Sequence, residues 1–309
     1  MNGPDWTVVT GAGRGLGRAL AVELAVRLAA GAAAGSPEAG SRVAALGRDL
    51  ADLQETAALA AAAGAPGRVV PVLCDLADPA AVRTAFAALQ AEAPVLRLVN
   101  NAALYPRRDI LEETVESFMA TVAVNLGGTL ATVLAALPAM IAAGRGRIVN
   151  VSSFADVAPL PASAAYAVSK GAGRVLGRAL QADLADRFPG IVISDWMPGM
   201  LATRIGVADG LDPAVAARWG AALALWDDPT LSGTIWEGDR EIPPPVGLKR
   251  RLVNRLLGRR AVARRLPDPG PRAPGGVPAG VPAGVQTGAQ TGAPGSVAGS
   301  AAEAKPGGG

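Results

Sequence analysis

The sequence predicts an α/β fold in which a mostly parallel sheet carries helices on both faces. Two patterns predict it. Short apolar runs of strand length alternate with longer Ala/Leu-rich stretches of helical length along the first 240 residues. The first of these runs leads directly into a glycine-rich turn, Thr10-Gly11-Ala12-Gly13-Arg14-Gly15-Leu16-Gly17, with a helical pattern after it. With 309 residues, half of them hydrophobic, the chain is long enough for one sizeable domain.

Taken in order, the first strand spans residues 6–10 and the first helix 15–30. Residues 31–41, rich in Ala and Gly, read as a lengthened surface loop before a second strand at 42–47. A helix at 49–63 and a strand at 68–73 follow. Asp78-Pro79 is a capping residue followed by a first-turn proline, so a helix over 78–91 is expected. Next come a strand at 95–100, a long helix at 112–142, a strand at 147–152, a second long helix at 164–187 and a strand at 191–195. Asp212-Pro213 repeats the cap-and-proline signal for a helix at 212–225, before a last strand at 234–237.

Composition changes after this point. Residues 248–266 hold eight Lys or Arg and no acid, with Leu248, Leu252, Val253, Leu256 and Leu257 in a helical pattern. The net charge of +3 is therefore local, since the rest of the chain carries 21 basic against 26 acidic residues. Such a segment fits a solvated helix on the domain edge, peripheral contact with an anionic membrane surface, or an acidic partner; nucleic acid is not the expected partner. Beyond residue 266 the sequence turns to Pro, Gly, Ala and Ser and cannot bury a core. The expected organisation is a domain at 1–240, a basic extension at 241–266 and a disordered tail at 267–309.

The chain contains no histidine and one cysteine, Cys74. This excludes Ser-His-Asp and Cys-His catalysis, imidazole metal sites and thiolate cages, so no metal is expected. Internal disulfides are excluded too, and a cytoplasmic location is expected from the lone cysteine and the lack of a secretory pattern at the start. Acid-base chemistry near neutral pH then falls to a shifted Tyr, Lys, Asp or Glu.

One such system stands out. Tyr166 and Lys170 are four apart in a predicted helix, so the phenol and the ammonium share a face, and a nearby cation favours the phenolate. Ser152 and Ser153 end the strand at 147–152, where ligands bind in open α/β sheets, and position alone leaves open which hydroxyl contacts a substrate oxygen. The glycine-rich turn offers unpaired helix N–H groups, a positive dipole end and close backbone approach to a pyrophosphate.

These motifs, together with Asn100-Asn101-Ala102, Asn125 and Pro198-Gly199-x-x-x-Thr203, occur in the order and approximate spacing of the short-chain dehydrogenase/reductase family, which residues 6 to about 237 resemble. The resemblance implies a Rossmann-type, doubly wound, three-layer αβα domain with about seven parallel strands. It also implies oligomerisation, as homodimer or homotetramer, through the two long helices. Gly11, Gly13, Gly15, Leu16 and Gly17 would face the pyrophosphate, Asp75 and Leu76 the adenine, and Asn101 and Ala102 the adenosine ribose. Pro198, Gly199, Leu201 and Thr203 would close over the nicotinamide. Tyr166 would exchange the proton, and Ser153, at the family's spacing of thirteen residues before it, would contact the substrate oxygen, leaving Ser152 structural; Lys170 would lower the tyrosine's pKa and bond the nicotinamide ribose, and Asn125 would support a water leading to the lysine. Ala103 stands where the family pattern has glycine.

Cofactor choice has its own physical reading. The second strand ends Ala45-Leu46-Gly47-Arg48, with glycine where a ribose-binding acid is expected, and Arg14 lies inside the glycine-rich turn. Two guanidinium groups suit a 2′-phosphate, which favours NADP(H) over NAD(H); the competing reading gives Asp49 the ribose. The expected function is therefore NADP(H)-dependent hydride transfer with a small-molecule ketone, aldehyde or secondary alcohol. A catalytically silent nucleotide-binding sensor is the alternative. Trp219, Leu223 and Trp226 are candidates for a substrate-side wall or for packing on the sheet. Phe154, Asp156, Leu160 and Pro161 could also line the pocket.

Overall fold

The computed structural model describes residues 3–34, 40–243 and 263–266. Seven strands lie parallel: β1 (Trp6–Thr10), β2 (Arg42–Gly47), β3 (Val69–Leu73), β4 (Val95–Asn100), β5 (Gly146–Val151), β6 (Ile191–Met197) and β7 (Thr234–Glu237). The seven expected parallel strands are joined by an eighth, β8 (Arg240–Ile242), which pairs antiparallel with β7. The two join through Gly238-Asp239, with Gly238 at φ +53, a short glycine turn of the kind that closes a hairpin.

The sheet order is β3-β2-β1-β4-β5-β6-β7-β8. Strands β1, β4, β5 and β6 are almost wholly buried, as continuous apolar runs in a parallel sheet covered on both faces must be. One face is covered by α1 (Gly15–Ala33), α2 (Leu50–Ala62) and α7 (Pro213–Leu225), whose core includes Leu20, Leu24, Leu53, Leu223, Trp196 and Trp236. On the other face, α3 (Pro79–Glu92), α5 (Gly128–Ala143) and α6 (Ala164–Leu184) cover Val8, Leu98 and Ile148. The topology switches between β1 and β4, which puts a crevice at their carboxyl ends.

Several elements depart from their expected bounds. Helix α1 runs to Ala33, so the inserted loop is shorter than read, and residues 35–39 lie outside the described residues. The long helix expected at 112–142 begins as α4 (Val115–Val122), where Thr114 and Ser117 form a reciprocal capping box. It then widens into a π-helical turn, Ala123–Gly127, before continuing as α5. Most of the basic segment, residues 248–262, lies outside the described residues. Its end forms no helix: Arg265 bridges antiparallel to Arg240, Leu266 is buried, and Arg264 and Arg265 pair with Glu241 and Asp239.

Candidate active site

The glycine-rich turn is shaped by its neighbours. Gly11 has φ +65, and a Cβ on Gly17 would lie 2.1 Å from the Gly11 carbonyl oxygen, so a side chain at 17 cannot be accommodated. Thr10 fastens this turn to β4: its Oγ1 accepts from the amides of Asn101 and Ala102 at 2.9 and 3.0 Å. Asn101 returns the contact, donating from Nδ2 to the Thr10 carbonyl at 2.9 Å. Opposite, a Cβ on Gly15 would meet Thr203 Cγ2 at 3.4 Å, so the segment after β6 closes on the same turn. Helix α1 starts at Gly15 with no side chain capping its first amides, as a helix N-terminus that takes a pyrophosphate requires, and the residues present fit a dinucleotide.

The neighbouring positions fall into place around this cradle. The amide of Ala12 donates to Leu46 O at 3.0 Å, setting the turn with Arg14 alongside the end of β2 with Arg48. Both arginines are exposed. Asp49 is engaged otherwise, as the N-cap of α2 accepting from the Asp52 amide. Gly13 packs on Asp52, and Arg18 grips the Gly13 carbonyl while pairing with Glu55. Leu16 is buried under the turn. Asp75 caps its own loop by accepting from the Ala77 amide at 2.9 Å, and Leu76 is buried against Gly128. After β6, Pro198 is buried, Gly199 turns at φ +92, and Leu201 bridges to Leu211.

At the carboxyl end of β5, Ser153 caps a short 3-10 turn, Phe154–Asp156, accepting from the Ala155 amide at 3.1 Å. The Tyr166 phenol is brought in by the first turns of α6, and the Ser153 hydroxyl acts on it to favour the phenolate. One turn further, Lys170 Nζ donates to Val151 O at 2.7 Å and lies 5.8 Å from the centroid of the Tyr166 ring. Serine, tyrosine and lysine thus share one edge of the sheet.

The electrostatics differ from those expected. Burial pushes the Tyr166 phenol up, the Ser153 hydrogen bond pulls it down by less, and neighbouring Tyr105 raises it further. Burial dominates at the phenol, and the Lys170 amine is desolvated as well: burial brings it down to about 8, opposed by Asp195. Asp195 is the counterpart, raised to about 6 by burial beneath α6 with Asn150 and the Arg174 and Arg178 guanidinium groups holding it down.

Asn125 sits in the π turn, buried, but its side chain is fully engaged. Oδ1 accepts from the Leu104 amide at 2.7 Å, and Nδ2 donates to Leu104 O and to Ser169 Oγ, both at 2.9 Å. Its own carbonyl accepts from Thr129 Oγ1. The amide group acts as a clamp between the loop after β4 and α6. Ser152 Oγ is buried with no hydrogen-bond partner among the described residues.

Three wall candidates resolve into packing. Leu223 is fully buried, Trp219 and Trp226 join the α1/α7 core, and Trp226 tilts against Trp236 with centroids 5.9 Å apart. Asp156 is held by Arg174 at 2.9 Å, leaving Phe154, exposed Leu160 and exposed Pro161 at the rim. The sequence reading missed Tyr105, which stacks on Tyr166 with centroids 4.5 Å apart and ring planes 19° from parallel. It also missed the roles of Thr10, Arg18 and Ser169, since only the fold brings their partners near.

A doubly wound sheet with a glycine cradle at its switch point and a Ser-Tyr-Lys edge defines a nucleotide-dependent oxidoreductase of the Rossmann type. Residues 5–212 match the family model for short chain dehydrogenases, and the chain belongs to that family, whose members bind NAD(P). Among its relatives is the "Inactive 2-(S)-hydroxypropyl-CoM dehydrogenase 2" of Xanthobacter autotrophicus, 36% identical over 186 residues, or 58% of this chain and 77% of the relative. The galactitol 2-dehydrogenase (L-tagatose-forming) of Cereibacter sphaeroides is 35% identical over 171 residues, 54% of this chain and 66% of that one. A metagenomic short-chain oxidoreductase solved in complex with NADP has a TM-score of 0.59 at 29% identity, covering 72% of this chain and 92% of the other.

Proposed function

We propose that the chain is an NADP(H)-dependent oxidoreductase acting on a ketone or aldehyde, or in the other direction on a secondary alcohol. The observation that carries this is the Ser153–Tyr166–Lys170 edge beside a glycine cradle that tolerates no side chain at position 17. When bound, the nicotinamide supplies or takes the hydride. Tyr166 gives its proton to the substrate oxygen in reduction and takes it back in oxidation, and Ser153 holds that oxygen in line. Lys170, with a pKa of about 8, keeps a positive charge below the helix at neutral pH and can bond the nicotinamide ribose.

In this reading Gly11, Gly13, Gly15, Leu16 and Gly17 hold the pyrophosphate, Asp75 and Leu76 the adenine, and Asn101 and Ala102 the adenosine ribose. Pro198, Gly199, Leu201 and Thr203 cover the nicotinamide side. Arg14 and Arg48 take the 2′-phosphate. Support for NADP(H) comes from the exposure of both arginines and from the engagement of Asp49 in capping α2, and the NADP-bound structural relative is consistent with it.

Self-association through α4, α5 and α6 belongs to the same reading, as homodimer or homotetramer. Val115–Ala143 is long and apolar enough to cross a membrane, with a third of its most apolar window buried. Its exposed Val115, Met119, Leu130 and Leu134 and the exposed Val168 and Val175 of α6 suit a subunit contact. A cytoplasmic location fits the single buried cysteine. The basic segment is read as packing on the domain edge, supported by the anchoring of residues 263–266; equal vesicle binding by the full chain and a truncation at residue 247 would exclude a membrane role for it.

The decisive experiment mixes purified protein with NADPH or NADH and a panel of carbonyl compounds while nicotinamide absorbance is followed. Turnover that prefers NADPH and is abolished in Tyr166→Phe is the expected result. Nucleotide binding without turnover on any substrate would favour the sensor reading, for which a relative named inactive gives a specific reason.

A further inference from the structure

The sequence contains two tyrosines, and the fold stacks them on one another at the proposed proton-transfer group. Tyr105 comes from the loop after β4, far from Tyr166 in sequence, so the contact is a product of tertiary structure. That loop is fixed on both sides of the ring. Before it, Leu104 gives its amide and its carbonyl to Asn125 in the π turn, at 2.7 and 2.9 Å. Beyond it, the Arg107 guanidinium lies 5.4 Å from the Tyr105 centroid and donates from Nη2 to Gly206 O at 2.6 Å.

Arg107 adopts φ +51, in the left-handed region that costs a residue with a side chain about 1 kcal/mol or more. A backbone held there needs contacts that outweigh the strain, and the bond to Gly206 with the ring beneath the guanidinium supplies them. Gly206 in turn follows Thr203, whose carbonyl accepts from its amide at 3.0 Å. The chain of contacts therefore runs from the π turn, over the face of Tyr166, to the segment that closes on the glycine cradle.

We propose that Tyr105 is a positioning residue for Tyr166: with Arg107 braced on Gly206, it forms a strap that fixes the ring and desolvates the phenol whenever the loop after β4 and the segment after β6 are together. This rests on Tyr166 being the proton-transfer group. Stacking on one face prevents the ring from turning about its axis and leaves its edge, with the hydroxyl, directed to Ser153. The charged and titratable groups facing this phenol are Lys170 on α6 and Tyr105 on the strap; Arg107 lies over the Tyr105 ring, and Asp195 on β6 acts on Lys170. Opening the strap would let water reach the phenol and ease its ionisation, in line with burial as the leading cause of its raised value.

The composition makes the idea measurable. In Tyr105→Phe and Tyr105→Leu one phenol remains, so phenolate absorbance in the near ultraviolet titrates Tyr166 directly. The phenylalanine variant keeps the stack; the expected result is a phenol that still titrates late and a kcat within about threefold of the parent. In Tyr105→Leu the stack is lost, and the expected result is roughly tenfold easier ionisation of Tyr166, with the alkaline limb of the kcat profile displaced equally. Arg107→Gln should move both readouts the same way by a smaller factor, with a circular dichroism spectrum like the parent's in every variant. Identical titrations in Tyr105→Phe and Tyr105→Leu would overturn the proposal. A shifted titration in a protein that turns over no carbonyl with either nucleotide would instead leave the strap standing and overturn the catalytic reading.

Discussion

Asp195 shows how one residue can oppose the fold that holds it. Register sets it beside Asn150 on β5, under α6, where Gly177 is the residue that leaves room for its carboxylate. Asn150 continues the polar line to Asn100 at 3.0 Å, and Thr132 closes it on α5. Because the folded pKa of about 6 exceeds the ordinary 3.8, the folded state binds the proton more tightly than the unfolded state. The cost is absent at low pH, grows as pH rises from about 4 to about 6, and is complete above that. Asp195→Asn is therefore expected to stabilise the protein at pH 7 by about 1 to 3 kcal/mol and to leave it unchanged near pH 3.5, read by urea unfolding at both values. If Asp195 serves Lys170, the same variant shifts the Lys170-dependent limb of the kcat profile to lower pH. Gly17→Ala is a second residue-scale case. Its methyl has no room beside the Gly11 carbonyl, and an affinity for NADPH at least about tenfold weaker is expected by fluorescence titration, with most of the fold retained.

Among the elements, the π turn between α4 and α5 gives the site its shape. One extra residue in the turn, Ala123–Gly127, redirects the helix so that Asn125 faces Leu104 and Ser169. Asn125→Ala leaves the amide and carbonyl of Leu104 without these partners, and a loss of about 2 to 4 kcal/mol is expected in denaturant unfolding. Asn125→Ala should also release the strap through Leu104, so Tyr166 becomes easier to ionise. The strands, the helix starts at Pro79 and Pro213 and the glycine-rich turn were legible in the sequence because their causes are local: alternation, capping and steric freedom. Strand β8 had a readable signal in Gly238-Asp239 but is three residues long, too short for periodicity to mark. The π turn had none, since Ala-Val-Asn-Leu-Gly is compatible with an ordinary helix and only the pull of Leu104 and Ser169 selects the wider turn.

For the molecule as a whole, the chain closes its sheet edge with residues distant in sequence. Leu266 is buried, its amide donates to Asp239 O at 2.9 Å, and Arg264 donates to Glu241 from two guanidinium nitrogens. Truncation at residue 243 is expected to lower the melting temperature by several degrees, consistent with about 2 kcal/mol for one buried leucine, as measured by calorimetry. The exposed apolar residues of α4, α5 and α6 suit the self-association proposed above. Leu134→Glu combined with Val175→Glu should yield a smaller species in sedimentation velocity, and an unchanged sedimentation coefficient would count against that surface.

By itself the sequence determined the order of strands and helices, the glycine cradle and the chemistry available to a chain without histidine. It did so because strand alternation, helix capping and side-chain pKa values are properties of neighbours in the chain. Tertiary structure decided what those groups experience. It buried Lys170 and lowered its pKa to about 8, raised Tyr166 where a lowered value was expected, bound Asn125 to Leu104 and Ser169, and laid Tyr105 across the phenol. Desolvation and stacking depend on which distant residues close over a group, and such closure is set by the packing of whole elements.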